Sequence, residues 1–154
     1  MAAGGVHVRD AAPGDLAALE RALPGDHARQ LANAAAGRRD LLVAWCDGEP
    51  AGTVVVRWTG VPVHGVGAVA EIRSLAVVPA RRGHGIGSLL VAAAEQRVRS
   101  RGGRAAAMHV AEENDGARRL YARLGYREAG RRPRADGGAD LVLVRALGTE
   151  PAPG

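Results

Sequence analysis

The sequence has no lysine, no phenylalanine, one cysteine and only four aromatic residues, two Trp and two Tyr, in a chain of 154. Each shortage excludes something. A Walker-type phosphate loop needs a Lys after its last glycine, so none can be built here. With Cys46 alone there is no internal disulfide. Its setting in Leu41-Leu42-Val43-Ala44-Trp45-Cys46 reads as a small buried apolar residue rather than a nucleophile. So few aromatics leave little surface for stacking bases, so nucleic acid is not an expected partner despite a formal net charge of +5. No apolar run approaches the length of a membrane span and no signal-peptide pattern opens the chain, so the expectation is a cytoplasmic protein without a membrane partner. His7, His27 and His64 stand at no ligand spacing, and no metal is expected.

Arginine, alanine and glycine fill the space left, a composition that reflects a GC-rich coding bias. The charge is uneven. Residues 1–80 carry 7 Arg against 8 acidic residues, and residues 81–154 carry 14 Arg against 8. A positive second half suits a polyanionic ligand. The length implies one domain, 1–147, able to bury a core without disulfides, followed by a tail over 148–154.

Periodicity and turn signals predict a mixed α/β layer structure. Strands are expected at 6–9, 41–46, 52–58, 68–78, 104–110, 126–129 and 139–146. Asp47-Gly48 reads as a hairpin turn. Helices are expected at 15–23, 26–36, 87–101 and 115–124, with Gly102-Gly103 and Gly125 as C-terminal stops. Residues 60–67 read as a loop and 130–138 as a basic turn.

Between the strand ending near Val78 and the helix beginning near Gly87 lies Arg82-Gly83-His84-Gly85-Ile86-Gly87-Ser88. Glycines there let a ligand lie against bare amides, and the following helix points its unpaired N–H groups and positive dipole end at it. The Rossmann fingerprint fails on residue identity, because its third glycine falls on Ser88 or Leu90. What remains is Arg82-x-x-Gly85-x-Gly87. Leu75 to Gly87 resembles the acetyl-CoA loop of the GNAT superfamily of N-acetyltransferases. Asn114-Asp115-Gly116-Ala117-Arg118-Arg119-Leu120-Tyr121, continuing to Gly125-Tyr126, resembles the family's second signature. The resemblance covers roughly residues 6–147. It implies a central, mostly antiparallel twisted sheet flanked by about four helices, and transfer of an acetyl group from acetyl-CoA to a primary amine of a small molecule or peptide by direct attack. A non-catalytic acyl-CoA-binding regulatory module is the alternative, a homodimer is left open, and so is an acyl group other than acetyl.

Such a transfer must hold the cofactor, neutralise the amine, stabilise an oxyanion and protonate the leaving thiolate. The resemblance assigns cofactor contacts to Leu75, Ala76, Val77, Arg82, Gly83, His84, Gly85, Ile86, Gly87, Ser88, Asn114 and Tyr121. The backbone of 75–77 would pair with the pantetheine arm, with the Val77 N–H as oxyanion donor, while the side chains of Leu75 and Val77 read as core. A lysine-like amine with pKa ~10.4 costs about 4.6 kcal/mol to neutralise at pH 7, so a base is expected. Glu71, on the strand feeding the loop, and His109, on the neighbouring strand, compete for that role, with Glu71 favoured slightly. A water chain to either is a further option. Tyr121 is the expected acid, since a phenol stays protonated at pH 7. Asn114 is both a helix N-cap and a pantetheine contact. Arg131-Arg132-Pro133-Arg134 is read as a loop that could border the acceptor site.

Overall fold

A computed structural model describes residues 5–63 and 67–148. Seven strands and four helices follow one another as β1 (Val6–Asp10), α1 (Leu16–Ala22), α2 (His27–Ala35), β2 (Arg39–Cys46), β3 (Glu49–Val63), β4 (Gly67–Val77), α3 (Ile86–Ser100), β5 (Ala105–Ala111), α4 (Asp115–Arg123), β6 (Arg127–Pro133) and β7 (Ala139–Ala146). Short 3-10 turns lie at Pro13–Asp15 and Pro79–Arg81. The strand order is β1-β2-β3-β4-β5-β7-β6. β4 pairs β5 in parallel, while β1–β2, β2–β3, β5–β7 and β6–β7 are antiparallel. α3 is the crossover that a parallel pair requires. This is the mixed α/β fold expected from the sequence. His64, and the tail beyond Gly148, lie outside the described residues.

The chain divides into two compact units, Met1–Trp58 with Ile72–Arg97 and Thr59–Glu71 with Val98–Gly154. In the first, Asp47 and Gly48 take φ of 53° and 77°, the pair of positive angles a tight hairpin needs, and join β2 to β3. Alternation along β2 and β3 then sorts the side chains. Leu41, Val43, Trp45 and Val55 turn to one face and bury Leu19 of α1, with Leu31 of α2 beside them. Each such aliphatic side chain contributes about 1.5–3 kcal/mol when fully buried. Gly52, on the opposite face, meets Ile86 and Leu90 of α3. Arg97 of α3 bonds Asp40 at 2.8 Å and also pairs with Asp10, tying the helix to β1 and β2.

At Gly52 both α3 and β4 approach β3 closely. A Cβ there would lie 2.7 Å from the Ala76 carbonyl oxygen and 2.9 Å from Leu90 Cδ1. Gly52→Ala is therefore expected to destabilise by about 1–3 kcal/mol through overpacking, read from denaturant unfolding. An unchanged midpoint would mean that the helix and strand yield freely.

In the second unit Val61, Val63, Val69, Ala107, Val142 and Val144 form the core of the β3–β7 face. This cluster explains one correction. The expected loop over 60–67 is strand as far as Val63, and β4 begins at Gly67. Val61 and Val63 are 1% and 8% exposed on either side of exposed Pro62, a period-two pattern that the Gly60-to-Gly67 punctuation masks. The basic turn is also shorter than expected. β6 runs to Pro133, so Arg131 and Arg132 lie on an exposed edge strand, and only Arg134 begins the turn.

Candidate active site

In the first unit the segment from β4 through the glycine loop into α3 forms one continuous device. Ser74 sits inside β4 with φ 55°, a rare state for a residue with a side chain. Strict alternation is lost along the strand, with Glu71 and Ile72 both buried. Leu75, Ala76 and Val77 end up half-buried, so the expectation that the Leu75 and Val77 side chains are core residues does not hold. They present apolar surface instead. Arg82 donates from Nε to the Val77 carbonyl at 3.2 Å and so fixes the strand's exit. Gly83 and Gly85 take φ of 81° and 80°, and nothing lies within 4 Å of where a Cβ would stand on either. His84 between them is exposed.

Buried Ile86 starts α3, and Gly87 and Ser88 complete its first turn. The first helical bond runs from Leu89 N–H to the Gly85 carbonyl at 3.0 Å. By helix geometry the N–H groups of Ile86, Gly87 and Ser88 have no carbonyl one turn back. No acidic residue occupies that turn. Open space, bare amides, a helix dipole and a nearby arginine fit a pyrophosphate-bearing cofactor.

A cavity of about 180 Å³ lies in the same unit, lined among others by Asp26, His27, Gln30, Thr53, Ser74 and Ala76. Asp26 caps α2 by accepting the Arg29 N–H at 3.0 Å. Buried His27 donates from Nε2 to the carbonyl of Leu23, at the end of α1, at 2.9 Å. Sequence reasoning missed Thr53 and Ser74 as lining residues. Thr53 is the only side-chain hydrogen-bonding group between Gly52 and Val56, a faint signal; Ser74 had none.

The second unit holds the remaining candidates. Glu71 and His109, expected as rivals, are partners: Nδ1 of His109 lies 2.7 Å from Oε2 of Glu71. The Glu71 side chain is 5% exposed and that of His109 22%. Nε2 of His109 is buried with no partner in the protein. Tyr121 projects from α4 and meets Tyr126 edge to face, with ring centroids 6.3 Å apart and planes at 65°. Burial pushes the Tyr121 phenol above its ordinary value, so it holds its proton firmly.

Asn114 is the N-cap of α4, with Oδ1 accepting the Ala117 N–H at 3.1 Å. Its own N–H goes to Ala111 and its carbonyl accepts from Arg118. The cap uses Oδ1, and the side-chain amide Nδ2 has no bond within the helix turn.

Two of the three arginines near the last turn are tied up. Arg131 donates to Glu112 at 2.7 Å and holds that carboxyl below its usual range. Arg134 bonds Asp140 and Glu113, both at 2.6 Å. They are committed to ion pairs and do not offer free charge to an acidic acceptor.

Comparison with known proteins agrees with this fold. No curated protein matches the chain. Among solved structures, the aminoglycoside 6'-N-acetyltransferase complexed with coenzyme A superposes with TM-score 0.74 at 20% identity, over 95% of this chain and 99% of that one. The ribosomal-protein-S18-alanine N-acetyltransferase from Escherichia coli gives 0.72 at 19% identity, over 96% and 97%. A GNAT family acetyltransferase from Elizabethkingia anophelis with acetyl-CoA bound gives 0.71 at 16% identity, over 92% and 97%. The family model for acetyltransferases of the GNAT type matches residues 12–126, most of the chain. With its glycine loop and α4 signature in place, the chain belongs to the GNAT family of acetyltransferases.

Proposed function

We propose that this protein transfers an acetyl group from acetyl-CoA to a primary amine of a small molecule or peptide. One observation carries the reading: the loop between β4 and α3, where Gly83 and Gly85 hold positive φ with empty space around them and α3 begins with three uncommitted N–H groups. When bound, acetyl-CoA supplies the activated acyl group. The N–H groups of Ile86, Gly87 and Ser88 hold the pyrophosphate, with the Arg82 guanidinium as the nearby charge. The half-buried edges of Leu75, Ala76 and Val77 would take the pantetheine arm, with the Val77 N–H as the oxyanion donor. Asn114 offers Nδ2. Tyr121 would supply the proton that the leaving thiolate needs, since its buried phenol is pushed up and stays neutral across the working range of pH.

The acceptor is a basic amine rather than an acidic group. Arg131 and Arg134 are spent on carboxylates. The cavity beside Ser74 carries the Asp26 carboxylate and no arginine. Similar structures include enzymes named for a ribosomal-protein alanine and for an aminoglycoside, both amine acceptors. None of the described helices is long and apolar enough to cross a membrane.

Binding tests the first half of the reading. Acetyl-CoA at 100 times its Kd should add about 2.7 kcal/mol to stability through linkage, visible as a rise in Tm. No rise at any concentration would remove the cofactor site and with it the proposal.

A further inference from the structure

We infer that the acceptor amine carries a hydroxyl group and a second cationic nitrogen, and that Thr53 and Asp26 select for them. This rests on the transfer reading above and narrows it to small polyfunctional amines. β2 and β3 turn Leu41, Val43, Trp45 and Val55 toward α1 and α2. Thr53 stands opposite Val43, two residues from Val55, on that same apolar face. It is 4% exposed. Packing alone would be served by valine, which has the same outline and no hydroxyl. A hydroxyl taken out of bulk water costs free energy unless it finds a partner. Among the described residues none bonds this one. Nor is it sealed in the core, because Thr53 lines the cavity beside Ser74. A buried polar group open only to a cavity needs its partner from there.

The rest of the lining says what the ligand presents. Asp26 accepts the Arg29 N–H on Oδ1 at 3.0 Å, and Oδ2 is left for a ligand. No arginine lines the cavity, so a carboxylate entering it would find no guanidinium. Buried His27 gives Nε2 to the Leu23 carbonyl, and its Nδ1 has no partner among the described residues. Ser74 adds a second hydroxyl from a backbone at φ 55°. A side chain held in so rare a state is a mark of functional sites. Carboxylate, imidazole nitrogen and two hydroxyl oxygens all accept hydrogen bonds. They suit a ligand rich in donors, which a hydroxylated ammonium compound is.

Size and place agree. At about 180 Å³ the cavity is smaller than the about 300–1,000 Å³ typical of sites for drug-sized ligands, so it holds a short chain or a single ring. Leu41 and Val55 supply apolar wall for the carbons between the polar groups. Ala76 lines the cavity and also belongs to the strand segment proposed for the pantetheine arm. An amine that reaches the thioester along this strand leaves the remainder of its molecule against Thr53, Ser74 and Asp26.

The test uses three acceptors: diaminopropanol, with an amine at each end and a central hydroxyl; diaminopropane, which lacks the hydroxyl; and isopropanolamine, which lacks the second amine. Thr53→Val should lower kcat/KM for diaminopropanol and isopropanolamine by about 3- to 10-fold, the scale of one neutral hydrogen bond, and leave diaminopropane unchanged. Asp26→Asn keeps the α2 cap. It should lower kcat/KM for both diamines by about 10- to 100-fold, the scale of a bond to a charged group, and leave isopropanolamine unchanged. Comparing variant with wild type on the same compound cancels differences in amine basicity. The Tm of Thr53→Val should match or exceed that of wild type, since only an unbonded hydroxyl is lost. A uniform change across the three acceptors, or no change, in either variant overturns the inference alone. So does a wild type that acetylates other amines and none of these. A wild type that binds acetyl-CoA but acetylates no amine at all overturns the transfer reading itself.

Discussion

Gly85→Val is expected to abolish acetyl-CoA binding, with Kd weakened at least 100-fold, about 2.7 kcal/mol or more. The backbone at Gly85 has φ +80°, and the space around its missing Cβ is empty. A β-branched residue is strained there by about 1–2 kcal/mol, but its Cβ has no protein atom within 4 Å, so the fold is expected to survive. The isopropyl group stands where phosphate oxygens would approach the amides. Gly48→Val is the matched control, because Gly48 has φ +77° and open space in the β2–β3 hairpin. It should lose similar stability and keep the cofactor. Isothermal titration of both variants separates strain from blocked binding. Tight binding by Gly85→Val would move the cofactor off this loop.

Tyr121→Phe is expected to lower kcat by about 10²-fold, about 2.7 kcal/mol on the barrier, with little change in acetyl-CoA affinity. Phenylalanine keeps the ring against Tyr126 and removes only the hydroxyl, so stability at neutral pH should hardly move. The phenol's raised pKa gives the sign at high pH. The folded state keeps this proton longer than the unfolded chain. The stability this represents is therefore complete below about pH 10 and fades as pH rises through the folded value. The variant should lack that alkaline dependence. Full turnover in Tyr121→Phe would mean that sulfur gets its proton elsewhere.

Much of this was legible in the sequence because the signals are local. The glycine loop, the α3 and α4 periodicities, the Asp47-Gly48 turn and the Asn114 cap each depend on a few adjacent residues, and each formed where expected. What was not legible depends on tertiary register. Glu71 and His109 were visible as candidates, but their pairing follows from a parallel β4–β5 alignment joined through α3, which no local pattern encodes. Gly52 was read as the start of a strand; its tight contact with Ala76 and Leu90 exists only once α3 has crossed over. Ser74's positive φ has no sequence signature, and it unsettled the expectation for Leu75 and Val77. The arginine run read only as a basic turn because the carboxylate partners of Arg131 and Arg134, which are Glu112, Glu113 and Asp140, come from other elements.

The most direct test of the central claim is the release of free CoA thiol from acetyl-CoA by the wild-type protein across a panel of primary amines, with the product's mass checked for one added acetyl group. The account predicts thiol release that depends on both enzyme and amine, is strongest with basic acceptors, and is matched mole for mole by acetylated amine. Acetyl-CoA binding with no thiol release above the uncatalysed rate for any amine would contradict it and leave a protein that binds acetyl-CoA without using it.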